Sequence, residues 1–232
     1  MVEVAQPRID VIDPPDPLDR VEAVAIVLHG GREKSTAAVT PGQLTVRRMR
    51  PFARELAAAG GNDGLAVWSL QYRVRGWNGT ERSPVADVQW ALDQVGRRLG
   101  DVPVVLVGHS MGARAAIHVA GDRRVVAIVA LAPWLPRGEP YEQIAGRAVL
   151  VVHGQLDTIT SPRGSLEWAR QAATVTDRIW RVEVRRERHA MLWRAALWHR
   201  LATQFTSAAL GFGRLPEVLT NAPPGQRLEI RV

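Results

Sequence analysis

The sequence predicts an α/β fold, in which a doubly wound, mostly parallel sheet is flanked by helices and carries no cap domain. Short continuous apolar runs alternate with longer amphipathic segments along the chain. Continuous apolar runs are typical of parallel strands that are covered on both faces, and their alternation with helical segments favours a parallel sheet. The length of 232 residues fits one domain of this kind.

Six apolar runs are the predicted strands, and four amphipathic segments are the predicted helices. Ser83-Pro84 and Ser161-Pro162 each place a capping serine before a proline at the first helical position, so each pair begins a helix. The predicted strands are residues 22–28, 65–70, 102–107, 125–131, 148–152 and 179–184. The predicted helices are residues 83–99, 113–120, 161–173 and 194–210.

The α/β domain is predicted to span residues 21–210, and the two ends of the chain differ from it. Residues 1–20 are predicted to be an N-terminal extension with a candidate edge strand near residues 8–12. Residues 211–232 are rich in glycine and proline, which predicts an irregular tail, with a candidate strand at residues 227–232.

Composition and charge exclude several classes of function. The chain has no cysteine, which excludes disulfides, thiolate catalysis and cysteine-ligated metals. The net charge is +7, but the basic residues are spread along the chain and Lys34 is the only lysine, which argues against a nucleic-acid partner. Residues 1–19 do not have the pattern of a signal peptide, and no segment approaches the roughly 18 apolar residues of a membrane span. We therefore expect a soluble, cytoplasmic protein without a membrane partner.

The pentapeptide Gly108-His109-Ser110-Met111-Gly112 lies between a predicted strand and a predicted helix. In this context the serine occupies a sharp, strained turn that exposes its hydroxyl, and side chains two residues before and after it would collide. The helix N-terminus that follows favours developing negative charge. Ser110 is therefore the predicted nucleophile.

A serine hydroxyl needs a base to take its proton, and the chain order expected after this turn is serine, acid, histidine. Asp157 follows a predicted strand in the segment HGQLD, residues 153–157, and is the predicted acid. Glu139, in a loop after the preceding strand, is the alternative acid. His189 is the predicted base because it lies beyond the last predicted strand.

The other five histidines fit the role of base less well. They lie inside predicted helices, at strand ends before a glycine, or beside the serine and facing away from its approach: His118, His199, His29, His153 and His109.

An oxyanion hole needs two hydrogen-bond donors aimed at the developing charge. The backbone N–H of Met111, directly after the nucleophile, is the first predicted donor. The second is predicted in the segment HGGR, residues 29–32, where glycine lets the backbone approach the substrate. We predict the N–H of Gly31, with that of Arg32 as the alternative.

These segments together resemble the α/β-hydrolase superfamily over residues 22–210. The resemblance is carried by HGG at residues 29–31, GHSMG at 108–112, HGQLD at 153–157 and His189. The acid segment with Ser161-Pro162 is similar to small esterases and dienelactone-hydrolase-like members. Dienelactone hydrolases proper use a cysteine nucleophile, so the serine here favours ester chemistry.

The active site is predicted to be open. Residues 132–147 join two predicted strands, contain three prolines and are too short for a helical lid. Trp77, Trp134 and Trp193 lie near the expected active face and are the candidate walls of an apolar acyl pocket, with packing against the sheet as the alternative.

The arginines that precede His189 allow two interpretations: Arg181, Arg185, Arg186 and Arg188. They favour either an anionic substrate or, as we expect, a solvated charged loop.

The sequence thus predicts a serine hydrolase that cleaves an ester or related acyl bond of a small-molecule substrate, with no metal and no organic cofactor. Two alternatives use the same fold. The first is a serine peptidase, an amidase or a cofactor-free perhydrolase with the same triad. The second is a binding module that lacks catalytic activity.

Overall fold

A mixed sheet organises the computed structural model, which describes residues 6–12 and 21–232. Much of the predicted N-terminal extension, residues 1–5 and 13–20, lies outside the described residues. Within them the strands are β1 Arg8–Ile12, β2 Ala23–Leu28, β3 Leu65–Gln71, β4 Val104–His109, β5 Val125–Leu131, β6 Ala148–Gly154, β7 Ile179–Val184 and β8 Ile230–Arg231. Their order is β1-β3-β2-β4-β5-β6-β7-β8. Strand β1 is antiparallel to β3, and the other neighbours are parallel.

Helices cover both faces of this sheet, so the predicted doubly wound fold is confirmed. In the described part of the chain the α-helices are α1 Leu44–Gly60, α2 Ser83–Leu99, α3 Met111–His118, α4 Pro162–Ala172, α5 Ala195–Ala209 and α6 Glu217–Thr220. Helices α2, α3 and α4 pack on one face, and α1 and α5 pack on the other. Along β2 the side chains alternate between the two cores, with Ile26 in one and Val27 in the other. This double coverage explains why a central strand such as β2 is apolar throughout.

Helix α1 is present although the sequence analysis did not predict it. Pro51 lies inside it, and a proline within a helix removes a backbone hydrogen bond and crowds the preceding turn. The proline is exposed, so the opposite face of the helix remains available for packing. That face buries apolar side chains three and four residues apart: Val46, Met49, Phe52, Ala53, Leu56 and Ala57.

The ends and connections of the chain leave the active face open. The predicted edge strand is present as β1, and the tail contributes α6 and the short strand β8. Residues 132–147, between β5 and β6, contain one 3-10 turn, Glu142–Ile144, and no helical lid. Among residues 6–12 and 21–232, no helix is long and apolar enough to cross a membrane.

Candidate active site

Ser110 occupies a strained turn between β4 and α3. Its backbone angles are φ 55° and ψ −114°, a conformation that non-glycine residues adopt only when the surrounding structure enforces it. The Ser110 N–H donates to the carbonyl of Leu131 at 2.9 Å, and the Ser110 carbonyl accepts from the N–H of Trp134 at 3.2 Å. These bonds fix both sides of the turn, so the side chain stands at the N-terminus of α3.

The two glycines of the pentapeptide are required by close packing of the turn. A Cβ on Gly108 would lie 2.5 Å from the backbone nitrogen of Ala113. A Cβ on Gly112 would lie 2.5 Å from the carbonyl oxygen of Leu28, at the end of β2. Real Cβ atoms do not approach backbone so closely, so both positions exclude a side chain.

Asp157 lies just after β6, where its carboxylate is nearly surrounded by donors. Oδ1 accepts from the N–H groups of Ile159 at 2.8 Å and Thr160 at 3.0 Å. Oδ2 accepts from the Thr160 hydroxyl and from Nδ1 of His189, both at 2.8 Å. Burial raises the pKa of Asp157, but the hydrogen bonds from His153, His189 and Thr160 outweigh burial and hold that pKa well below its ordinary value. Asp157 is therefore ionised.

The contact with Asp157 fixes the tautomer of His189. Because the carboxylate only accepts hydrogen bonds, His189 donates from Nδ1, and Nε2 is left as the basic nitrogen. His109, which precedes Ser110 in the chain, links the His189 ring to the turn at Ser110. Its ring lies 4.7 Å from that of His189, and its Nε2 donates to the His189 carbonyl at 3.1 Å. No direct hydrogen bond joins Ser110 to His189, as is common in free enzymes before the substrate tightens the site.

Sequence reasoning missed three residues that hold this arrangement. Thr160 donates its hydroxyl to Asp157, and His153 lies 3.2 Å from the same oxygen. Burial lowers the pKa of His153, so the ring is neutral and donates from Nε2, while the buried Nδ1 has no partner in the described part of the chain. The third residue is Glu187. All three act over a short stretch of chain, since Thr160 and His153 contact Asp157 three and four residues away and Glu187 contacts backbone one and seven residues away. No sequence pattern that we used marks such contacts.

Glu187 clamps the segment that carries His189, residues 188–194, here named the base loop. The side chain is fully buried. One carboxylate oxygen accepts from the N–H of Arg188 at 2.9 Å, and the other accepts from the N–H of Arg194 at 2.8 Å. The Glu187 carbonyl also accepts from the N–H of Leu156 at 2.8 Å, which ties the base loop to the acid's loop.

The structure decides between the two candidates for the second oxyanion donor. The Arg32 N–H donates to the carbonyl of Arg75 at 2.8 Å, so the Arg32 alternative is wrong. The N–H groups of Gly31 and Met111 have no acceptor among the described residues. A side chain at Gly31 would overlap that of Met111 and the Arg75 carbonyl. Both predicted donors therefore lie beside Ser110 and have no acceptor in the described part of the chain.

His29 orients the peptide that carries the Gly31 N–H. Its Nδ1 lies 2.7 Å from the carbonyl oxygen of Gly30, and its Nε2 lies 3.4 Å from the Tyr72 nitrogen. Burial lowers the pKa of His29 to about 4, so the ring is neutral and donates once, to Gly30. In a trans peptide the N–H points opposite to the preceding carbonyl, which turns the Gly31 N–H away from His29.

The alternative acid, Glu139, is engaged elsewhere. It pairs with Arg114 and accepts from His118 at 2.8 Å. The Arg114 guanidinium stacks on the rings of Trp77, at 3.8 Å, and Trp134, at 4.4 Å. This cluster braces helix α3 one turn after Ser110.

The three tryptophans predicted as pocket walls are placed differently. Trp77 is 3% exposed and meets Trp134 edge to face, with 6.1 Å between ring centroids. Trp134 is partly exposed and adjoins the serine's turn through its backbone. Trp193 is 79% exposed in the base loop. The structure thus brings Trp77 and Trp134 together but not Trp193.

One of the four arginines near His189 was misplaced by the sequence analysis. Arg181 is 2% exposed in β7, where Nη2 donates to the carbonyl of Pro162 at 3.0 Å and lies 3.4 Å from Glu183. It therefore braces α4 against the sheet and does not approach the active site. The other three are exposed in the loop, as expected for solvated charges: Arg185, Arg186 and Arg188. No three acidic or histidine side chains in residues 6–12 and 21–232 are grouped as metal ligands.

Solved structures of several esterases share this fold. Apo esterase 2 of Thermogutta terrifontis is 19% identical, with a TM-score of 0.68, over 93% of this chain and 94% of that one. Est1E of Butyrivibrio proteoclasticus, with ferulic acid bound, is 14% identical, with a TM-score of 0.64, over 88% and 96%. An alpha-beta serine hydrolase homologue of Coxiella burnetii is 18% identical, with a TM-score of 0.61, over 88% and 94%.

Sequence comparison identifies the family directly. No curated protein matches the chain in sequence. The family model described as the alpha/beta hydrolase family matches residues 25–225, which include the serine turn, the acid segment and His189. The resemblance noted in the sequence is thereby confirmed, and the chain belongs to the alpha/beta hydrolase family.

Proposed function

We propose that this protein is a serine hydrolase that cleaves an ester or related acyl bond through Ser110, His189 and Asp157. The observation that carries the proposal is the 2.8 Å contact between Nδ1 of His189 and Asp157, made beside a serine held at φ 55°. A carboxylate, an oriented imidazole and a strained serine at a helix N-terminus are the parts that nucleophilic acyl transfer needs.

The reaction proceeds through an acyl-enzyme. Ser110 Oγ attacks the substrate carbonyl while Nε2 of His189 takes the hydroxyl proton. The N–H groups of Gly31 and Met111 hold the oxyanion of the tetrahedral intermediate. As the intermediate collapses, the imidazolium gives its proton to the leaving alkoxide. Water then attacks the acyl-enzyme, His189 takes its proton, and the carboxylic acid leaves as Ser110 regains the proton.

Asp157 acts throughout by holding the imidazole and by stabilising the imidazolium. Its ionised state follows from the donors around it and not from solvent, because the residue is 7% exposed. A buried carboxylate with a lowered pKa stabilises the positive charge that His189 gains in each transition state.

Structural neighbours favour ester bonds over peptide bonds. Esterase 2 of Thermogutta terrifontis is described with propionate bound, with butyrate bound and phosphoramylated by tabun. Est1E is described with ferulic acid bound. The open connection between β5 and β6 in this chain suits small acyl groups, and Trp134 is the remaining candidate wall of the acyl pocket.

The test is hydrolysis of p-nitrophenyl esters of increasing acyl length by the wild type and by Ser110→Ala. Turnover of at least one ester that Ser110→Ala abolishes supports the proposal. Ser207→Ala, in helix α5 away from the site, is the matched control and should retain wild-type activity. Equal rates in the wild type and Ser110→Ala would assign the activity to another group. A complete lack of turnover would favour the binding-module alternative.

A further inference from the structure

A cavity of about 260 Å³ adjoins the oxyanion loop. It lies between Gly30-Gly31 and the start of α1, where Gln43 and Thr45 contribute to its lining together with Arg32 and Arg75. Ser110 does not line the cavity, but Gly30 does and adjoins Ser110, because a Cβ on Gly30 would lie 3.4 Å from the Cβ of Ser110. A group bound in this cavity would therefore lie against the loop predicted to hold the oxyanion.

Arg75 is held in place by neutral acceptors. Its Nε donates to the carbonyl of Ala38 at 2.9 Å. The side-chain oxygen of Gln43, turned towards the guanidinium, accepts from Nη2 at 2.8 Å. These contacts orient the guanidinium without neutralising its charge. Arg75 is partly buried, so it is screened less by solvent than a fully exposed side chain.

Neither cavity arginine has a counter-ion among the described residues. No carboxylate lies within 4.0 Å of Arg32 or Arg75, and none lines the cavity. Elsewhere in the described chain, four of the partly or wholly buried arginines pair with a carboxylate: Arg73 with Asp87, Arg114 with Glu139, Arg124 with Asp122 and Arg181 with Glu183. Three others, Arg48, Arg147 and Arg227, make no such pair, but none of them lines this cavity. Arg32 is exposed and Arg75 is partly buried, and the positive charge of both is uncompensated beside the Gly30-Gly31 loop.

We propose that this cavity is a subsite for a carboxylate carried by the substrate, so that the enzyme prefers anionic esters. The inference rests on the proposed function and names its substrate class. Guanidinium groups bind carboxylates through charge-assisted, often paired hydrogen bonds. The cavity is smaller than the roughly 300–1,000 Å³ of sites for drug-sized ligands, so it accepts a carboxylate on a short chain or on a single ring.

The carboxylate can be attached to the acyl part or to the alcohol part, and two pairs of esters distinguish these sources. The acyl pair is the mono-p-nitrophenyl ester of adipic acid and the p-nitrophenyl ester of adipamic acid, in which an amide replaces the free carboxylate. The alcohol pair is 4-acetoxybenzoate and 4-acetoxybenzamide. In each pair a carboxylate is compared with a neutral amide of nearly the same shape, and the measured quantity is the ratio of the two kcat/KM values.

We expect the wild type to prefer the anionic ester of one pair by about tenfold or more, as a charge-assisted contact predicts. Arg32→Gln and Arg75→Gln should each lower that ratio severalfold while changing kcat/KM for the neutral amide less than about twofold. Arg75→Lys, which keeps the charge, should retain part of the preference. Arg54→Gln, which removes an exposed arginine of α1 outside the cavity, is the matched control and should keep the full ratio.

The inference and the proposed function fail in different ways. Equal rates on both members of both pairs, or a preference that survives Arg32→Gln and Arg75→Gln, would overturn the subsite while leaving ester hydrolysis in place. If no ester is hydrolysed, the proposed function fails, and calorimetric binding of glutarate decides the subsite. Binding that Arg32→Gln weakens would support it, and no binding to the wild type would overturn it. Arg32→Gln also keeps the test valid if Arg75→Gln does not fold.

Discussion

Replacing Glu187 by glutamine tests whether this residue positions His189, the proposed base. The two Glu187 oxygens accept backbone N–H groups at 2.9 and 2.8 Å, from the two ends of the base loop. A glutamine of the same size keeps one acceptor and turns an NH2 group towards the other N–H. One end of the loop therefore loses its hydrogen bond inside a fully buried site.

The expected magnitude follows from that single lost acceptor. A buried donor without a partner costs about 1–3 kcal/mol, which for a domain of this size lowers Tm by about 2–10 °C. A base loop displaced by about 1 Å would lower kcat by about a hundredfold. Substrate binding does not involve Glu187, so KM should change little.

The assay combines steady-state kinetics on a p-nitrophenyl ester with thermal unfolding. Glu167→Gln is the control, because Glu167 makes only an exposed contact with Arg163 on α4, and such pairs contribute about 0–1 kcal/mol. A stable Glu187→Gln protein with wild-type kcat would refute the positioning role. A fall in Tm with unchanged kcat would limit Glu187 to stability.

Three further predictions concern the triad and the open site. Ser110→Ala and His189→Ala should each lower kcat by about 10³-fold or more, and the double variant should be little worse, because the two residues act as a unit; multiplied losses would contradict this. Asp157→Asn should fold but lose most turnover. The folded-state pKa of Asp157 lies below its ordinary 3.8, so the ionised form stabilises the fold above that pH and this stabilisation is lost in acid. The difference in unfolding free energy between the wild type and Asp157→Asn should therefore shrink from about pH 5 to pH 3. A constant difference would contradict this prediction. With no helical lid in residues 132–147, rates on short esters should saturate smoothly without a jump at the solubility limit, and an interfacial jump would show that another segment gates the site.

The strands and the serine turn were predictable because their causes are local. Strand β4 begins with four apolar residues, Val104–Val107, since both faces are covered. Gly108 and Gly112 are glycines because nearby backbone leaves no room for a Cβ. Ser161 caps α4 through its own side chain, which accepts from the N–H of Gly164 at 2.9 Å. Ser83 instead is the first residue of α2, and Arg82 holds the N-cap position. The Ser83-Pro84 pair therefore predicted where the helix begins but not which residue caps it.

Other features depend on which side chains the folded chain buries, and they left no local signal. Pro51 hid helix α1, because the sequence does not show that the proline lies on the exposed face. Arg181 belongs to the charge-rich run of residues 181–188, but the alternation of β7 turns it into the protein against α4. Glu187 looks like one more charge in that run, yet it is buried because two backbone N–H groups of the base loop need an acceptor.

The central claim is that Ser110 is a nucleophile activated by His189 and Asp157, and labelling with a fluorophosphonate probe tests it most directly. Such probes form a covalent bond with an activated serine, and mass spectrometry of the digested protein locates the bond. The account predicts stoichiometric labelling on the peptide that contains Ser110, no labelling in Ser110→Ala, and labelling slowed by about 10³-fold in His189→Ala. An unlabelled wild type, or a label on another residue, would contradict it.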